Sequence, residues 1–301
     1  MDIRQLRYLI ALAREKHFSR AAEACAVTQP TLSARIRQLE DDLGVQIVKR
    51  GQRYHGLTEE GERVLAWARR IVEDFDGMRA DLSMRSGELD GRLTVGVIPS
   101  ALPAFPALAA ALRARHPRVR LTVLSRSSAD IGRELEAFEL DAGLTYVDGE
   151  PIGRGLVRPL YTERYRLFVR SDHPLAPRET VTWAEAAEHP LCALTPDMQN
   201  RRIVDRAFRE AGRSPEPEIE SNSVVNLIAS VRAGGFASVL SESFLSLAGA
   251  DPDVRAIPLV EPAVEHTVGL VVQEREPLPA LVAALVAAAD AFGPEGRTPA
   301  G

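Results

Sequence analysis

The stretch FSRAAEACAVTQPTLSARIRQLEDDLG, residues 18–44, constrains the fold more than any other part of the chain. Ala21 and Ala22 are small enough to let a second helix pack closely, as a tight helix-turn-helix requires. Cys25-Ala26-Val27 supplies the turn. Thr28 can cap the next helix, and Pro30 is tolerated in its first turn because that N–H has no intrahelical partner. Leu32, Ile36, Leu39 and Leu43 form the inward stripe, and Gly44 is the C-terminal stop. Upstream, Ile3, Leu6, Leu9, Ile10 and Ala13 predict a first helix with one buried stripe, and Ser19 is the expected N-cap of a short second one.

The outward positions of the third helix are Gln29, Thr31, Ser33, Arg35, Arg37 and Gln38. Glutamine can read adenine, arginine can read guanine, and hydroxyl or cationic groups can hold phosphates, so this face suits a major groove. VQIVKRGQRYHGLT then predicts two short strands with Gly51 and Gly56 as turn residues, a basic wing beside the helix. The expected DNA-contacting set is Ser19, Arg20, Thr28, Gln29, Pro30, Thr31, Ser33, Arg35, Arg37 and Gln38, with Lys49, Arg50 and Arg53 from the wing. Charge agrees: residues 1–58 hold 10 Lys+Arg against 6 Asp+Glu, although the whole chain is −5. A basic head on an acidic body points to a polyanion met by the head alone.

Phe18-Ser19, Ala21-Ala22, Gln29-Pro30, Ser33, Ile36, Leu39-Glu40, Leu43-Gly44, Arg50 and Leu57-Thr58 followed by Gly61 together resemble the LysR-type transcriptional regulators. Cys25, where the family usually has Leu, and Val48, where Phe is common, are apolar departures at core positions and leave the DNA reading intact. The resemblance covers nearly the whole chain, more weakly in the body. It implies a winged helix-turn-helix domain over 1–58, a linker helix over 59–88 that dimerises, and a two-lobed α/β effector-binding domain over 89–301 similar to periplasmic solute-binding proteins. The first lobe is expected at about 89–161 and 267–293 and the second at about 162–266. Promoter DNA, a small-molecule effector, self-association as a dimer or tetramer, and RNA polymerase are the implied partners.

The linker carries Val64, Ala68, Ile71, Phe75, Met78 and Leu82, a heptad-like seam that pairing with a second copy would bury. In the body, RLTVGVIP, VRLTVLS and AGLTYV alternate with helical stretches, which argues for a parallel sheet with crossover helices. Ligands of such sheets lie beyond the carboxyl ends of the strands. The candidates there are Ser100, Ser125, Ser127, Thr145, Thr195, Gln199, Asn200, Arg201 and Asn222. Their hydroxyls, amides and one guanidinium would favour a small organic anion as a set, although each Ser or Thr taken alone is better read as a helix cap. LTPDMQNRRIVD and its surroundings resemble a subgroup of these regulators found beside formate-dehydrogenase gene clusters, which implies formate as effector.

Catalysis is not expected: G-x-S-x-G, P-loop, G-x-G-x-x-G and H-E-x-x-H patterns are all missing. No cofactor or metal is implied, since His189 and Cys192 form only an isolated pair. Cys25 and Cys192 read as small buried hydrophobes rather than a disulfide. No apolar run is long enough to span a membrane and the amphipathic N-terminus lacks a secretory core, so a cytoplasmic protein with no membrane partner is expected. The alternative function is a cytoplasmic small-molecule-binding protein whose N-terminal domain docks a protein partner.

Overall fold

The computed structural model of the protein describes residues 1–49, 54–83, 89–150, 155–245 and 252–292. They form a head unit, Met1–Leu89 with Glu136–Glu139, and a body unit containing the remainder. In the head, α1 (Ile3–Glu15) starts at a reciprocal capping box. The Asp2 carboxylate accepts from the Gln5 amide at 3.0 Å and the Gln5 side chain accepts from the Asp2 amide at 2.5 Å. Helix α2 (Phe18–Ala24) begins one residue before the expected cap. His17 Nδ1 accepts from the Ser19 amide at 3.2 Å, so His17 is the cap and Ser19 lies inside the helix.

Helix α3 (Gln29–Leu43) is capped by Thr28 and closed by Gly44 in the left-handed region, φ 68°. Leu32, Ile36 and Leu39 are buried, but Leu43 is 40% exposed because Gly44 turns the chain away there. Ala21 and Ala22 lie in one core with Leu12, Leu32 and Ile36, which is the close helix packing their size permits. A second core joins Leu6, Leu9 and Leu39 to Ile47 and Leu57 of the wing and to Leu65 and Ala68 of α4 (Glu59–Ser83).

The expected pair of wing strands reduces, among the described residues, to one antiparallel bridge between Val48 and Leu57. It is flanked by Lys49 N–H to Gly56 O at 3.1 Å and Thr58 N–H to Ile47 O at 2.9 Å. Arg50 and Arg53 lie outside the described residues.

Two of the expected seam positions of α4 face the head's own core. Ala68 is fully buried and Val64 and Val72 pack beside it, because the first turns of α4 cover the wing and α1. Trp67, Ile71 and Met78 are instead exposed at 61%, 38% and 53%, with Phe75 half-buried. The side chain of Leu82 lies outside the described residues.

The body strands are β1 (Gly91–Val97), β2 (Val119–Ser125), β3 (Ala142–Tyr146), β4 (Leu156–Arg170), β5 (Val181–Thr182), β6 (Cys192–Leu194), β7 (Ile219–Ser221), β8 (Ser238–Ser241), β9 (Val254–Val260) and β10 (Glu265–Val272). Their helices are α5 (Phe105–Arg115), α6 (Ser128–Glu136), α7 (Trp183–Ala186), α8 (Gln199–Glu210), α9 (Val224–Ala233) and α10 (Ala280–Phe292). The sheet is mixed rather than wholly parallel. Strand β1 pairs parallel with β2 and β3, while β10 runs antiparallel between β3 and β4. The reason is topological: the chain returns from the second lobe through β10, and α10 then packs on α5 and β1.

Strand β4 serves both lobes. Its first part pairs with β10 and its last part with β8 and β9. Strands β6 and β7 form a separate parallel pair. No helix among the described residues is long and apolar enough to cross a membrane.

Candidate DNA-reading face and interlobe cleft

On the head, Gln29, Ser33, Arg37 and Lys49 line one open groove between α3 and the wing. Arg37 and Lys49 are exposed, and among the described residues their side chains make no ion pair. They are thus available to phosphates or bases without breaking an internal contact. Gln29 donates to Ser33 Oγ at 3.2 Å and Arg35 to Gln38 Oε1 at 3.1 Å, exposed pairs that pre-order the face and exchange readily for a base edge.

Thr28 hydrogen-bonds Thr31 at 2.8 Å, and Arg20 donates to Glu15 O at 2.8 Å. Ser19 and Pro30 are exposed. Glu40 holds the wing in register with α3, its Oε1 accepting from the amides of Ile47 at 2.7 Å and Val48 at 2.9 Å. That is the physical role of the acid in the Leu39-Glu40 pair, a carboxylate satisfying two strand donors.

In the body, the carboxyl ends of β1, β3 and β8 and the first turn of α8 converge on Glu163 of β4. Tyr146 donates to Glu163 Oε2. The same phenol lies 3.1 Å from Ser100 Oγ and 3.3 Å from Tyr165 OH, and accepts from Asn200 Nδ2 at 2.9 Å. Ser243, just after β8, donates to Ser100 O at 2.8 Å. These contacts join the lobes, and Arg202 of α8 reinforces them through two bonds to the Glu150 carboxylate, at 2.7 and 2.9 Å.

Glu163 is 1% exposed. Burial pushes its carboxyl from 4.5 up to about 7, against the opposing pull of the Tyr146 hydrogen bond and of the Ser241 and Ser100 hydroxyls nearby, while Glu242 adds to the rise. Burial likewise drives the phenols of Tyr146, Tyr161 and Tyr165 well above their ordinary value, with Glu163's charge adding to each.

Of the expected effector residues, only Ser100 and Asn200 join this cluster. Thr145, fully buried, donates to Ser128 Oγ at 3.0 Å, and Ser127 caps α6 by accepting from the Asp130 amide at 3.1 Å. Ser125 ends β2 exposed and Asn222 is exposed before α9, so neither is enclosed as a ligand contact would be. Gln199 is 4% exposed, and Thr195 Oγ1 is buried without a hydrogen-bond partner.

Arg201 departs most from the expectation of an anion grip. Its guanidinium already serves Asp205 at 2.8 Å, Glu220 at 2.6 Å and Leu194 O at 2.8 Å. Two carboxylates already balance its charge and take up its Nε and Nη1 donors, so a third anion would meet a neutralised fork. Tyr146 and Ser241 end β3 and β8 but are not among the expected residues, and Glu163, Tyr165 and Ser243 are additions that strand-end reasoning does not reach. The available signal is YTERY at 161–165, which puts an acid between two tyrosines on one strand face.

Residues 3–62 match the bacterial regulatory helix-turn-helix protein, lysR family, and residues 86–293 match the LysR substrate binding domain. The chain belongs to the LysR-type transcriptional regulators. Such proteins are DNA-binding regulators with an effector domain and are not enzymes. This regulator is 30% identical over 282 residues to the DNA-binding transcriptional dual regulator OxyR of Escherichia coli K12, covering 92% of this chain and 91% of that one. It is 28% identical over 289 residues to the hydrogen peroxide-inducible genes activator of Haemophilus influenzae, with 92% of each chain covered.

A full-length OxyR point variant from Pseudomonas aeruginosa superposes with a TM-score of 0.77 at 28% identity over 96% of this chain and 94% of that one. Full-length CbnR, solved with its target DNA, shares the fold at a TM-score of 0.68 and 23% identity, covering 97% of this chain and 99% of that one. Each matched domain of the regulator thus contains one of the two candidate sites described above.

Proposed function

We propose that this LysR-type regulator reads a promoter with the α3 face and wing of two paired copies, and that a small polar effector in the interlobe cleft changes how those copies hold DNA. The observation that carries the reading is the groove holding Gln29, Ser33, Arg37 and Lys49 on a rigid α3–wing unit. Arg20, Thr28, Thr31, Arg35 and Gln38 complete the face, and the exposed Trp67, Ile71 and Met78 of α4 pair the copies. The effector is enclosed where Ser100, Tyr146, Glu163 and Asn200 meet, and its entry shifts the balance between open and closed lobes.

Formate is not favoured as effector, because Arg201 and Arg202 are both engaged by carboxylates. A response to peroxide, as in the names of the relatives, would need a thiol with thiolate character and access. Cys192 is 1% exposed, its thiol pushed up by burial, and Cys25, in the head, is likewise raised by burial. The two cysteines therefore lack the chemistry of a peroxide sensor.

Replacing Arg37 with alanine tests the reading face. The expected result is a loss of about 1–3 kcal/mol in affinity for the regulator's own promoter fragment, measured by fluorescence anisotropy, if the guanidinium meets a base edge. Affinity equal to that of the unaltered protein would remove Arg37 from the interface.

A further inference from the structure

We infer that the cleft of this regulator is built for a small organic cation of the ammonium or amidinium type, and that Glu163 is the residue that selects it. This rests on the cleft being the effector site, as proposed above. Four observations support the assignment. First, Glu163 is placed where a ligand must be read: β4 changes partner there, from β10 up to Arg164 to β8 and β9 from Tyr165 onward. Tyr146 at the end of β3 bonds it and in turn meets Ser100 after β1 and Asn200 of α8, while Ser241 at the end of β8 lies nearby.

Second, the site has unused acceptor capacity. Glu163 Oε1 and Tyr161 OH are both buried without a hydrogen-bond partner. An unpaired buried acceptor on a carboxylate costs free energy that a ligand N–H would recover. Third, Tyr161, Glu163 and Tyr165 alternate along β4 and so share one strand face, and the Tyr146 hydroxyl donates to the carboxylate. Phenol oxygens beside a carboxylate give an ammonium further acceptors for its N–H groups.

Fourth, the charged groups around the cluster are acids or are arginines already paired with acids. Glu242 lies beyond β8 and raises Glu163, and Asp148 after β3 acts on Tyr165. His266 of β10 sits against Tyr146 and bonds Asp148 at 2.9 Å. Arg166 faces Glu242 at 3.6 Å, Arg202 holds Glu150, and Arg201 holds Asp205 and Glu220. An incoming carboxylate would meet Glu163 while these arginines are already committed to acids, whereas an ammonium would ionise Glu163 and pair with it.

The test is calorimetric titration of the full-length protein with methylammonium, guanidinium and putrescine, and separately with formate and acetate, in buffers of differing ionisation enthalpy. An amine is expected to bind with release of up to about one proton near neutral pH, because pairing converts Glu163 from its acid to its carboxylate form. Its affinity then rises with pH through about 7, the value of the buried carboxyl. In Glu163→Gln the amine affinity falls about tenfold or more and the proton release disappears.

Binding of formate or acetate with proton uptake, amines having no effect, would overturn the assignment while leaving the cleft as the site. Failure of every amine to bind would also overturn it, as would amine binding without proton release in the unaltered protein. That last measurement does not depend on the variant folding. Loss of the underlying regulatory reading would show separately, as failure to bind promoter DNA.

Discussion

Replacing Gly61 with alanine is expected to destabilise the head by roughly 1–3 kcal/mol and to displace the wing from α3. On an ordinary helix face the same exchange would help, since alanine is the better helix former by about 1 kcal/mol. Here the steric effect is the larger. A Cβ on Gly61 would lie 2.1 Å from the carbonyl oxygen of Ile47 and 2.9 Å from its carbon, both backbone atoms with no side-chain freedom to yield.

Nor can that carbonyl move alone. It accepts from the Thr58 amide, the Ile47 amide is held by Glu40, and the Ile47 side chain is fully buried in the head core. Thr58 adds a constraint by capping α4, its Oγ1 accepting from the Gly61 amide at 2.9 Å. Thermal unfolding of the full chain should show a lower first transition, and anisotropy on the promoter fragment a weaker complex. A Gly61→Ala protein as stable and as tightly bound as its parent would mean that α4 and the wing are not locked as described.

Placing aspartate at Ile71, or at Trp67, is expected to separate paired copies and lower affinity for a two-half-site promoter by roughly a hundredfold or more, through lost avidity. The helix is 25 residues long and its apolar side beyond the head core comprises Trp67, Ile71, the half-buried Phe75 and Met78. Arg70 lies over the Trp67 ring at 5.6 Å and Arg79 over Phe75 at 6.0 Å, so cationic stems edge the stripe without covering it. A buried carboxylate in a pairing seam would be unpaired and strongly unfavourable. Analytical ultracentrifugation should find the variant monomeric where the parent is dimeric. Intact dimers would place the pairing surface elsewhere.

The head is legible in the sequence because its constraints are local. Alanine size at 21 and 22, the Thr28 cap, Pro30 and the Gly44 stop act within a few residues and are visible in order along the chain. The departures are local too. His17 rather than Ser19 caps α2 because a histidine acceptor can substitute for a hydroxyl, and Leu43 has nothing to pack against beyond Gly44.

The exposed apolar stripe of α4 is shifted by one position in its first turns, running through Trp67 in place of the expected Ala68. Spacing alone does not distinguish a stripe that packs on the chain's own wing, as Val64 and Ala68 do, from one that faces outward through Trp67 and Ile71. The cleft is less legible still. Position after a strand identifies Ser100 and Asn200, but the hub is Glu163, in the middle of a long strand whose partners β8, β9 and β10 come only after the whole second lobe has been threaded. Arg201 looks free in the sequence because Asp205 is one helical turn away and Glu220 sits on a different strand, and only folding brings both to its guanidinium.

The decisive quantity is the affinity of the full-length protein for a duplex carrying its own promoter, followed by fluorescence anisotropy across salt concentration. Several cationic contacts from two heads predict tight binding at about 50 mM salt that weakens at least about a hundredfold by roughly 200 mM, with a stoichiometry of two chains or more per duplex. Binding that is absent at low salt, indifferent to salt, or satisfied by a single chain would contradict the reading of a paired, groove-reading head.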